Sequence, residues 1–347
     1  MPMQDGKVRF GLAGCGRISG FHLDALAQHA DAAVAAVCDP IEERARAAAE
    51  RAGGVPWFTD YRKMLAAGGF DAVTLCTPSG MHPEQGVLAA QAGFHVVTEK
   101  PMGIALEPVD RLIRACDEHG VRLFTVLQNR LNPTIALLKQ AVDKGRFGRI
   151  NFAQVNVFWT RPQEYYDQAP WRGTWEFDGG AFMNQASHYV DLLQWLVGDV
   201  EEVEAITGTL ERRIETEDTG AAVLRFRNGA IGSINVTMLV YPRNLEGAVT
   251  ILGSRGTVRI GGVALNRVEH WEFDRYEDDD RAVTEAGYQP ASLYGHGHAG
   301  YYHNVIDVLQ GRAQPRIDGR AGRKSLELIL AIYRSARERR RVAIPLQ

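Results

Sequence analysis

Cysteine is scarce: Cys15, Cys38, Cys76 and Cys116 are the four in 347 residues, widely spaced and without a Cys-x-x-Cys pair. Such spacings argue against a disulfide framework or a thiolate zinc site, and suit small, reduced, apolar residues of a cytoplasmic protein. An excess of either charge is missing too. At a formal net charge of −3 the chain has no overall basic field to recruit nucleic acid or an anionic membrane surface. Long apolar runs are absent: no stretch approaches the ~18–20 residues that span a bilayer. Met1–Lys7 has neither an apolar signal region nor a cleavage site, so a cytoplasmic location is expected. Two local charge runs, acidic Asp274–Glu285 and basic Arg334–Arg341, read as an exposed loop and as the solvated end of a terminal helix.

What remains is an ordinary globular balance, 45% hydrophobic and 23% charged, in a chain long enough for two domains of roughly 100–200 residues. Up to residue 127 short apolar runs alternate with helical patterns. Strands are predicted over Val8–Ala13, Ala33–Cys38, Asp71–Cys76, His95–Thr98 and Leu123–Leu127, and helices over Arg17–His29, Ile41–Ala52, Glu84–Ala92 and Glu107–His119. That alternation implies βαβ units and a parallel sheet covered on both faces. After a helix near Pro133–Lys144 the rhythm changes. Asn151–Trp159 alternates polar and apolar residues, and a helix over Gly180–Val197 follows a loop rich in aromatics. Ala221–Phe226 and Ala230–Met238 flank Arg227-Asn228-Gly229, while Val249–Leu252 and Thr257–Ile260 flank Gly253-Ser254-Arg255-Gly256; both read as hairpins. Consecutive hairpins imply an antiparallel sheet with one face on helices, and a last helix, Lys324–Arg340, closes the chain. The expected fold is α/β, with a dinucleotide-binding domain over residues 1–127 and an α+β domain over residues 128–347.

Gly14-Cys15-Gly16-Arg17-Ile18-Ser19 sits where the first strand ends and the first helix begins. Glycines there permit a tight turn and let a pyrophosphate approach backbone N–H groups at a helix start. Gly14, Gly16, Arg17 and Ile18 are therefore cofactor candidates, with Ser19 in the third glycine slot. Asp39 ends the second strand, about twenty residues on, where an acid hydrogen-bonds the adenosine ribose. A carboxylate there repels a 2′-phosphate and favours NAD over NADP. The plainer reading, that Asp39-Pro40 begins a turn and caps the next helix, ranks behind it given the glycine loop. Thr77-Pro78-Ser79-Gly80-Met81-His82 leaves the carboxyl end of another strand, where open α/β sheets bind ligands. Thr77, Ser79 and His82 join the candidates, as cofactor contacts or as caps of the following helix. The glycine loop lacks the Gly-Lys-Ser/Thr ending of a nucleotide triphosphatase, which argues against phosphoryl transfer.

Glu99-Lys100-Pro101 follows the strand His95–Thr98, and a lysine at that address projects towards the nicotinamide end of a bound dinucleotide. Pro101 biases Lys100 towards an extended backbone. Farther on, Gly179-Gly180 opens a helix carrying Asn184 and His188 one turn apart on one face, with Asp191 placed to orient the His188 ring. Taken singly, Lys100 reads as a surface lysine and His188 as a structural histidine; their addresses make them a pair. His296, His298 and His303 invite a metal reading, but no carboxylate or cysteine lies near them at ligand spacing. Helix-start and subunit-contact roles are favoured, and no metal is expected.

The Gly-Cys-Gly-Arg-Ile loop, the Glu-Lys-Pro triplet and the Gly-Gly…His…Asp helix resemble the glucose–fructose oxidoreductase/inositol dehydrogenase (Gfo/Idh/MocA) family, in the same order over nearly the whole chain. The resemblance implies a Rossmann domain followed by an open, mostly antiparallel sheet, often packed face to face between subunits. A homo-oligomer, dimer or tetramer, is therefore expected. It also implies NAD as cofactor with Glu99 and Lys100 beside it, Lys100 and His188 as the catalytic pair, and Asp191 in support. The substrate helix departs from the family pattern: Asp178 stands at the usual third glycine, Asn184 where an acid is often found, and Ala186 at a following glycine. Loss of that acid leaves His188 as the better base. Met183–Trp195, Trp171-Arg172-Gly173-Thr174-Trp175 and Gly295-His296…Tyr301-Tyr302-His303-Asn304 look like one branch of the family, the WlbA/WbpB-type dehydrogenases. That likeness implies oxidation of the 3-hydroxyl of UDP-N-acetylglucosaminuronic acid, in nucleotide-sugar synthesis for surface lipopolysaccharide.

Oxidising a secondary alcohol moves a hydride to the nicotinamide while the hydroxyl loses a proton. His188, titrating near working pH, can accept that proton, and the Lys100 ammonium can stabilise negative charge on the oxygen. The two roles can also be exchanged. A nucleotide-sugar uronate needs donors for its carboxylate and diphosphate. Lys100, Arg161, Tyr165, Tyr166, Asn184, Gln185 and His188 are the substrate-binding candidates. Two rival readings stand beside this one: a dehydrogenase of a free sugar or inositol, and a non-catalytic sensor of dinucleotide or sugar. Retention of both Lys100 and His188 argues against the sensor. Whether NADH is recycled in place by 2-oxoglutarate or exchanged is left open by the residues.

Overall fold

The computed structural model describes residues 6–289 and 297–346, the side chains of Asp279 and Thr284 excepted. The chain forms two compact units, Met1–Val126 with His298–Arg323, and Leu127–Gly297 with Lys324–Gln347. The first unit thus takes in residues 298–323, which a single boundary at residue 127 assigns to the second domain. Buried aromatics explain the difference: the Tyr302 ring meets the edge of Phe10 at 5.5 Å, and its hydroxyl lies 3.1 Å from Thr74 Oγ1.

The first unit runs β1 (Val8–Ala13), α1 (Ser19–Ala27), β2 (Ala32–Cys38), α2 (Glu42–Arg51), β3 (Trp57–Phe58), α3 (Tyr61–Ala67), β4 (Ala72–Leu75), α4 (His82–Gln91), β5 (His95–Thr98), α5 (Leu106–Glu118) and β6 (Leu123–Thr125). All its strand pairs are parallel, in the order β3-β2-β1-β4-β5-β6. The order reverses between β1 and β4, so the loops leaving β1, β4 and β5 share the carboxyl edge where such sheets bind ligands. Val8, Phe10 and Leu12 of β1 are fully buried, as a strand covered on both faces requires. Leu12, Leu23, Val37, Ala48, Ala49 and Cys76 form one core cluster that ties α1 and α2 to the sheet. Each large side chain in it contributes roughly 1.5–3 kcal/mol. β3 and α3 were not expected. A two-residue strand carries no periodicity, and α3 is defined by its cap, Asp60, which accepts the N–H groups of Arg62 and Lys63.

The second unit contains α6 (Pro133–Asp143), β7 (Ile150–Phe158), α7 (Gln163–Asp167), α8 (Ser187–Val197), β8 (Val200–Gly208), β9 (Thr219–Phe226), β10 (Ile231–Thr237), β11 (Glu246–Gly253), β12 (Gly256–Gly261), β13 (Arg267–Phe273) and α9 (Val283–Ala286). After α10 (Gly297–Leu309) and α11 (Gly319–Glu338), β14 (Val342–Ala343) joins its sheet. The order is β13-β12-β11-β7-β10-β9-β8-β14, antiparallel except for β7 and β10. The stretch between those two strands supplies the long crossover that a parallel pair needs. α8 packs on β7, with Leu192, Leu193 and Leu196 buried against the side of the sheet that carries Ala153, Val155 and Val157. The opposite face exposes Ile206, Val223, Ile231 and Leu252. The acidic run is more ordered than an exposed loop. Asp278–Ala282 is a 3₁₀ turn closed by a Glu277/Asp280 capping box, and Asp280 accepts from Arg146 and from Trp271 Nε1 at 2.6 Å.

Candidate active site

Gly14–Ile18 leave β1 and lead into α1. Gly14 has φ +90°, and a Cβ there would lie 2.6 Å from the Cys76 carbonyl carbon, so only glycine fits. A Cβ on Gly16 would meet nothing within 4 Å, so the loop is open on that side. Ile18 caps α1 without a side-chain hydrogen bond, leaving its first N–H groups for an anion. Space above Gly16 and an uncapped helix start suit a dinucleotide pyrophosphate. Asp39 is buried, its Oδ2 accepting the Cys15 N–H at 2.8 Å and its Oδ1 the Ile41 N–H at 2.9 Å. It therefore braces the glycine loop and the approach to α2. The Cys15 thiol is pushed up to about 12 by burial and by Asp39, which makes it inert filling.

The loop after β4 is tied down from within. Thr77 Oγ1 donates to Gln85 Oε1 at 2.6 Å, and Ser79 is buried at the start of a short 3₁₀ turn. His82 has Nδ1 2.9 Å from the Pro101 carbonyl and Nε2 2.8 Å from the Thr77 carbonyl. Both ring nitrogens thus bind backbone, and His82 fastens this loop to the one after β5 instead of reaching for a cofactor. Glu99 corrects a second expectation. Its carboxylate turns inward, with Oε1 2.9 Å from His22 Nε2 and Oε2 accepting the Lys100 N–H at 2.9 Å. Burial alone would raise its pKa, but the His22 hydrogen bond and the electrostatic influence of His22, Lys100 and His298 hold it at about 2. His298, at the start of α10, is buried as well, and burial pushes its imidazole down to about 3. The donor atoms of His22, Glu99 and His298 lie within 4.8 Å of one another, a geometry that can hold a metal ion. His303 is paired elsewhere, 3.4 Å from Asp307, while His296 and Gly295 fall outside the described residues.

In the second unit the helix expected over Gly180–Val197 has a different beginning. Ala181–Gln185 is a π turn, Ala186 N–H bonding the Ala181 carbonyl, before α8 starts. Two buried side chains hold that turn. The Tyr333 hydroxyl accepts the N–H groups of Gly180 and Met183, both at 3.1 Å. Glu217 Oε1 accepts the Phe182 N–H at 2.8 Å and the Tyr333 hydroxyl at 2.9 Å. A Cβ on Gly180 would lie 1.6 Å from Glu217 Oε2, which explains one of the paired glycines. Burial pushes the Glu217 carboxyl up to about 7, against the pull of the Phe182 N–H and Tyr333 bonds.

His188 is buried on α8, its Nε2 3.3 Å from Gln128 Nε2. Asp191, expected to orient the His188 ring, is paired with Arg130 instead. Its two oxygens accept from Arg130 Nε and Nη2, at 2.8 and 2.6 Å, and the Arg130 guanidinium lies over the Trp195 ring. Burial raises the Asp191 pKa while Arg130 opposes it. Gln128, Arg130 and Glu217 carry no motif, and burial is what gives them away. The two departures on the substrate helix turn out to be bonded: Asn184 Nδ2 donates to Asp178 Oδ1, while Asp178 Oδ2 accepts the Gly173 N–H at 2.6 Å.

Three substrate candidates come together. Arg161 Nε donates to Gln185 Oε1 at 2.9 Å, and Gln185 Nε2 donates to the Tyr165 hydroxyl at 3.0 Å. The Arg161 guanidinium stands 5.4 Å from the centre of the Tyr165 ring and that of Arg172 4.1 Å, so two cations flank one phenol. Tyr166 is buried beside them, its ring 5.1 Å from that of Tyr165.

Comparison with known proteins adds what geometry alone does not. Residues 8–127 match the oxidoreductase-family profile for an NAD-binding Rossmann fold, and residues 139–344 match that family's C-terminal alpha/beta domain. The myo-inositol 2-dehydrogenase of Thermotoga maritima is 28% identical over 97% of this chain and 98% of its own. Among solved structures, the WlbA dehydrogenase of Bordetella pertussis, in complex with NADH and UDP-GlcNAcA, is 58% identical with a TM-score of 0.96, covering 100% of both chains. The WlbA dehydrogenase of Chromobacterium violaceum, in complex with the same two ligands, is 54% identical with a TM-score of 0.95, covering 100% of this chain and 98% of that one.

Proposed function

The chain belongs to the Gfo/Idh/MocA family of oxidoreductases, and we propose that it oxidises the 3-hydroxyl of UDP-N-acetylglucosaminuronic acid to the 3-keto sugar with NAD. The observation that carries this reading is full-length similarity at 54–58% identity to dehydrogenases bound to NADH and that sugar. NAD supplies the hydride acceptor. Gly14, Gly16, Arg17 and Ile18 would hold its pyrophosphate, with Asp39 at the ribose and Thr77 and Ser79 farther along the sheet edge. His188 takes the hydroxyl proton. The Gln128 side-chain amide, 3.3 Å from its Nε2, lies beside the ring. Lys100 hydrogen-bonds the same hydroxyl and stabilises charge as it develops on the oxygen. Arg161, with Tyr165, Asn184 and Gln185, receives the acidic parts of the substrate.

The exposed Ile206, Val223, Ile231 and Leu252 support self-association through the open face of the larger sheet, as a dimer or tetramer. No helix among the described residues is long and apolar enough to cross a membrane. The reading places the enzyme in the cytoplasm, in nucleotide-sugar synthesis for a surface polysaccharide. The test is direct. Protein is mixed with NAD and UDP-N-acetylglucosaminuronate, with and without 2-oxoglutarate, and NADH and the 3-keto product are followed by absorbance and mass spectrometry. No product in either mixture, from protein shown to bind NAD, refutes the substrate. His188→Asn should abolish turnover and leave NAD binding intact; full activity in that variant removes His188 from the chemistry.

A further inference from the structure

A line of buried polar groups ends at the Lys100 backbone. Thr74 Oγ1 lies 3.1 Å from the Tyr302 hydroxyl, which lies 2.7 Å from His22 Nδ1. His22 Nε2 lies 2.9 Å from Glu99 Oε1, and Glu99 Oε2 accepts the Lys100 N–H. His22, Thr74 and Tyr302 are 0% exposed and Glu99 6%. A carboxylate only accepts, so His22 Nε2 carries a proton and, in the neutral ring, Nδ1 accepts from Tyr302.

Packing alone does not call for this arrangement. Apolar side chains of similar volume would join β4, α1 and α10 at least as well, because burying an ion costs more than its partner usually returns. The groups facing Glu99 are His22 from α1, Cys76 beyond β4, His82 from α4, His298, Tyr301 and Tyr302 from α10, and Lys100. Of these side chains, His22 makes the direct bond. It also lies on α1, the helix whose uncapped start suits the pyrophosphate. One side chain therefore links the cofactor helix to the loop that presents Lys100.

We propose that His22 and Glu99 are a positioning pair for Lys100: His22 keeps the buried carboxylate charged, and Glu99 fixes the Lys100 backbone and holds a negative charge behind the ammonium. The proposal rests on the reading of Lys100 as a catalytic residue. Its consequence is that the proton affinity of Lys100 depends on a residue that never touches substrate. His22→Leu leaves Glu99 Oε1 without its side-chain donor, so the buried carboxyl takes up a proton and its charge is lost. Glu99→Gln removes the charge outright. His22→Gln keeps an N–H donor and should keep the charge.

The three variants are compared with wild type as full-length protein. Competitive acetylation of lysines, read peptide by peptide by mass spectrometry over a pH series, reports Lys100 titration without turnover. We expect its midpoint to fall by about one pH unit or more, a tenfold change in proton affinity, in His22→Leu and Glu99→Gln. It should stay near wild type in His22→Gln. The pH profile of kcat/KM should move in the same order, through kcat and with little change in KM. Should His22→Leu fail to fold, Glu99→Gln against His22→Gln carries the comparison. Equal Lys100 titration in all folded proteins overturns the proposal. So does one divalent metal per chain in purified protein that is lost with His22, since the two histidines and Glu99 would then be ligands. A wild type that does not turn over the nucleotide sugar refutes the functional reading and leaves the labelling result standing.

Discussion

Replacing Glu217 with glutamine should stabilise the protein at neutral and alkaline pH relative to its stability in acid. Glu217 is 3% exposed, and its Oε1 is the oxygen that accepts from Phe182 and Tyr333. Burial raises its pKa from 4.5 to about 7. A carboxyl with a raised folded-state pKa holds its proton longer than the unfolded chain does. Below pH 4.5 both states are protonated and nothing is lost; between there and pH 7 the unfolded chain ionises first, so stability falls as pH rises. A shift of that size corresponds to about 3 kcal/mol. The amide of the Glu217→Gln variant cannot ionise, and its carbonyl can still accept both bonds, so it mimics the protonated acid across the whole range. Urea denaturation of both proteins at pH 5, 6, 7 and 8, at constant ionic strength, measures the difference. The gap should move by about 3 kcal/mol in favour of the variant and level off above pH 7. Parallel stability curves would refute the reasoning, because they would mean that Glu217 ionises as readily in the fold as outside it.

Gly14→Ala should cost at least ~1–2 kcal/mol from its positive φ, plus the clash with Cys76, and should lower the melting temperature and weaken NAD binding. Gly16→Val has open space at its Cβ, so it should fold normally yet lose NAD binding in a calorimetric titration; normal binding would place the pyrophosphate elsewhere. Asp191→Asn leaves the Arg130 guanidinium buried without its carboxylate and should destabilise by about 3–5 kcal/mol in chemical denaturation. A loss under ~1 kcal/mol, the range of exposed pairs, would mean that water reaches it. Gln128→Glu places a carboxylate beside His188 and should raise the acid limb of the kcat/KM pH profile by about one unit; an unmoved limb would exclude Gln128 from contact during turnover.

The first unit was largely legible in the sequence because its signals are local. β1 and β5 begin and end where their apolar runs do, and the glycine loop and Glu99-Lys100-Pro101 lie at strand ends. The second unit was legible as hairpins, but not in the β7–β10 pairing or in β8 and β13, whose partners lie far along the chain or beyond short loops. α10 escaped notice for a similar reason. Gly297–Leu309 reads as a polar helix with aromatics, and the face that packs on β1 is recognisable only once β1 and β4 are adjacent. Lys100 and His188 were found because chemistry constrains their addresses. The other polar residues of these regions, His22, Gln128, Arg130, Glu217 and Tyr333, have no spacing rule, since each reaches its partner from a distant part of the chain.

The exchange of acid and amide on the substrate helix bears on the direction of the chemistry. The family resemblance leads one to expect an acid at the position of Asn184, one helical turn before His188, and glycine at the position of Asp178. Here the carboxylate sits at the entrance of the π turn, bonded to Asn184 Nδ2 and the Gly173 N–H. Asp191, on α8 itself, is occupied on both oxygens by Arg130. His188 Nε2 lies 3.3 Å from the uncharged side-chain amide of Gln128. A carboxylate beside an imidazole raises its proton affinity and would start the oxidation with the base already protonated. An amide carries no charge that would raise it. The same substitution that removes a rival base thus prepares the one that remains, and Gln128→Glu, by restoring a charge next to His188, reverses that preparation directly.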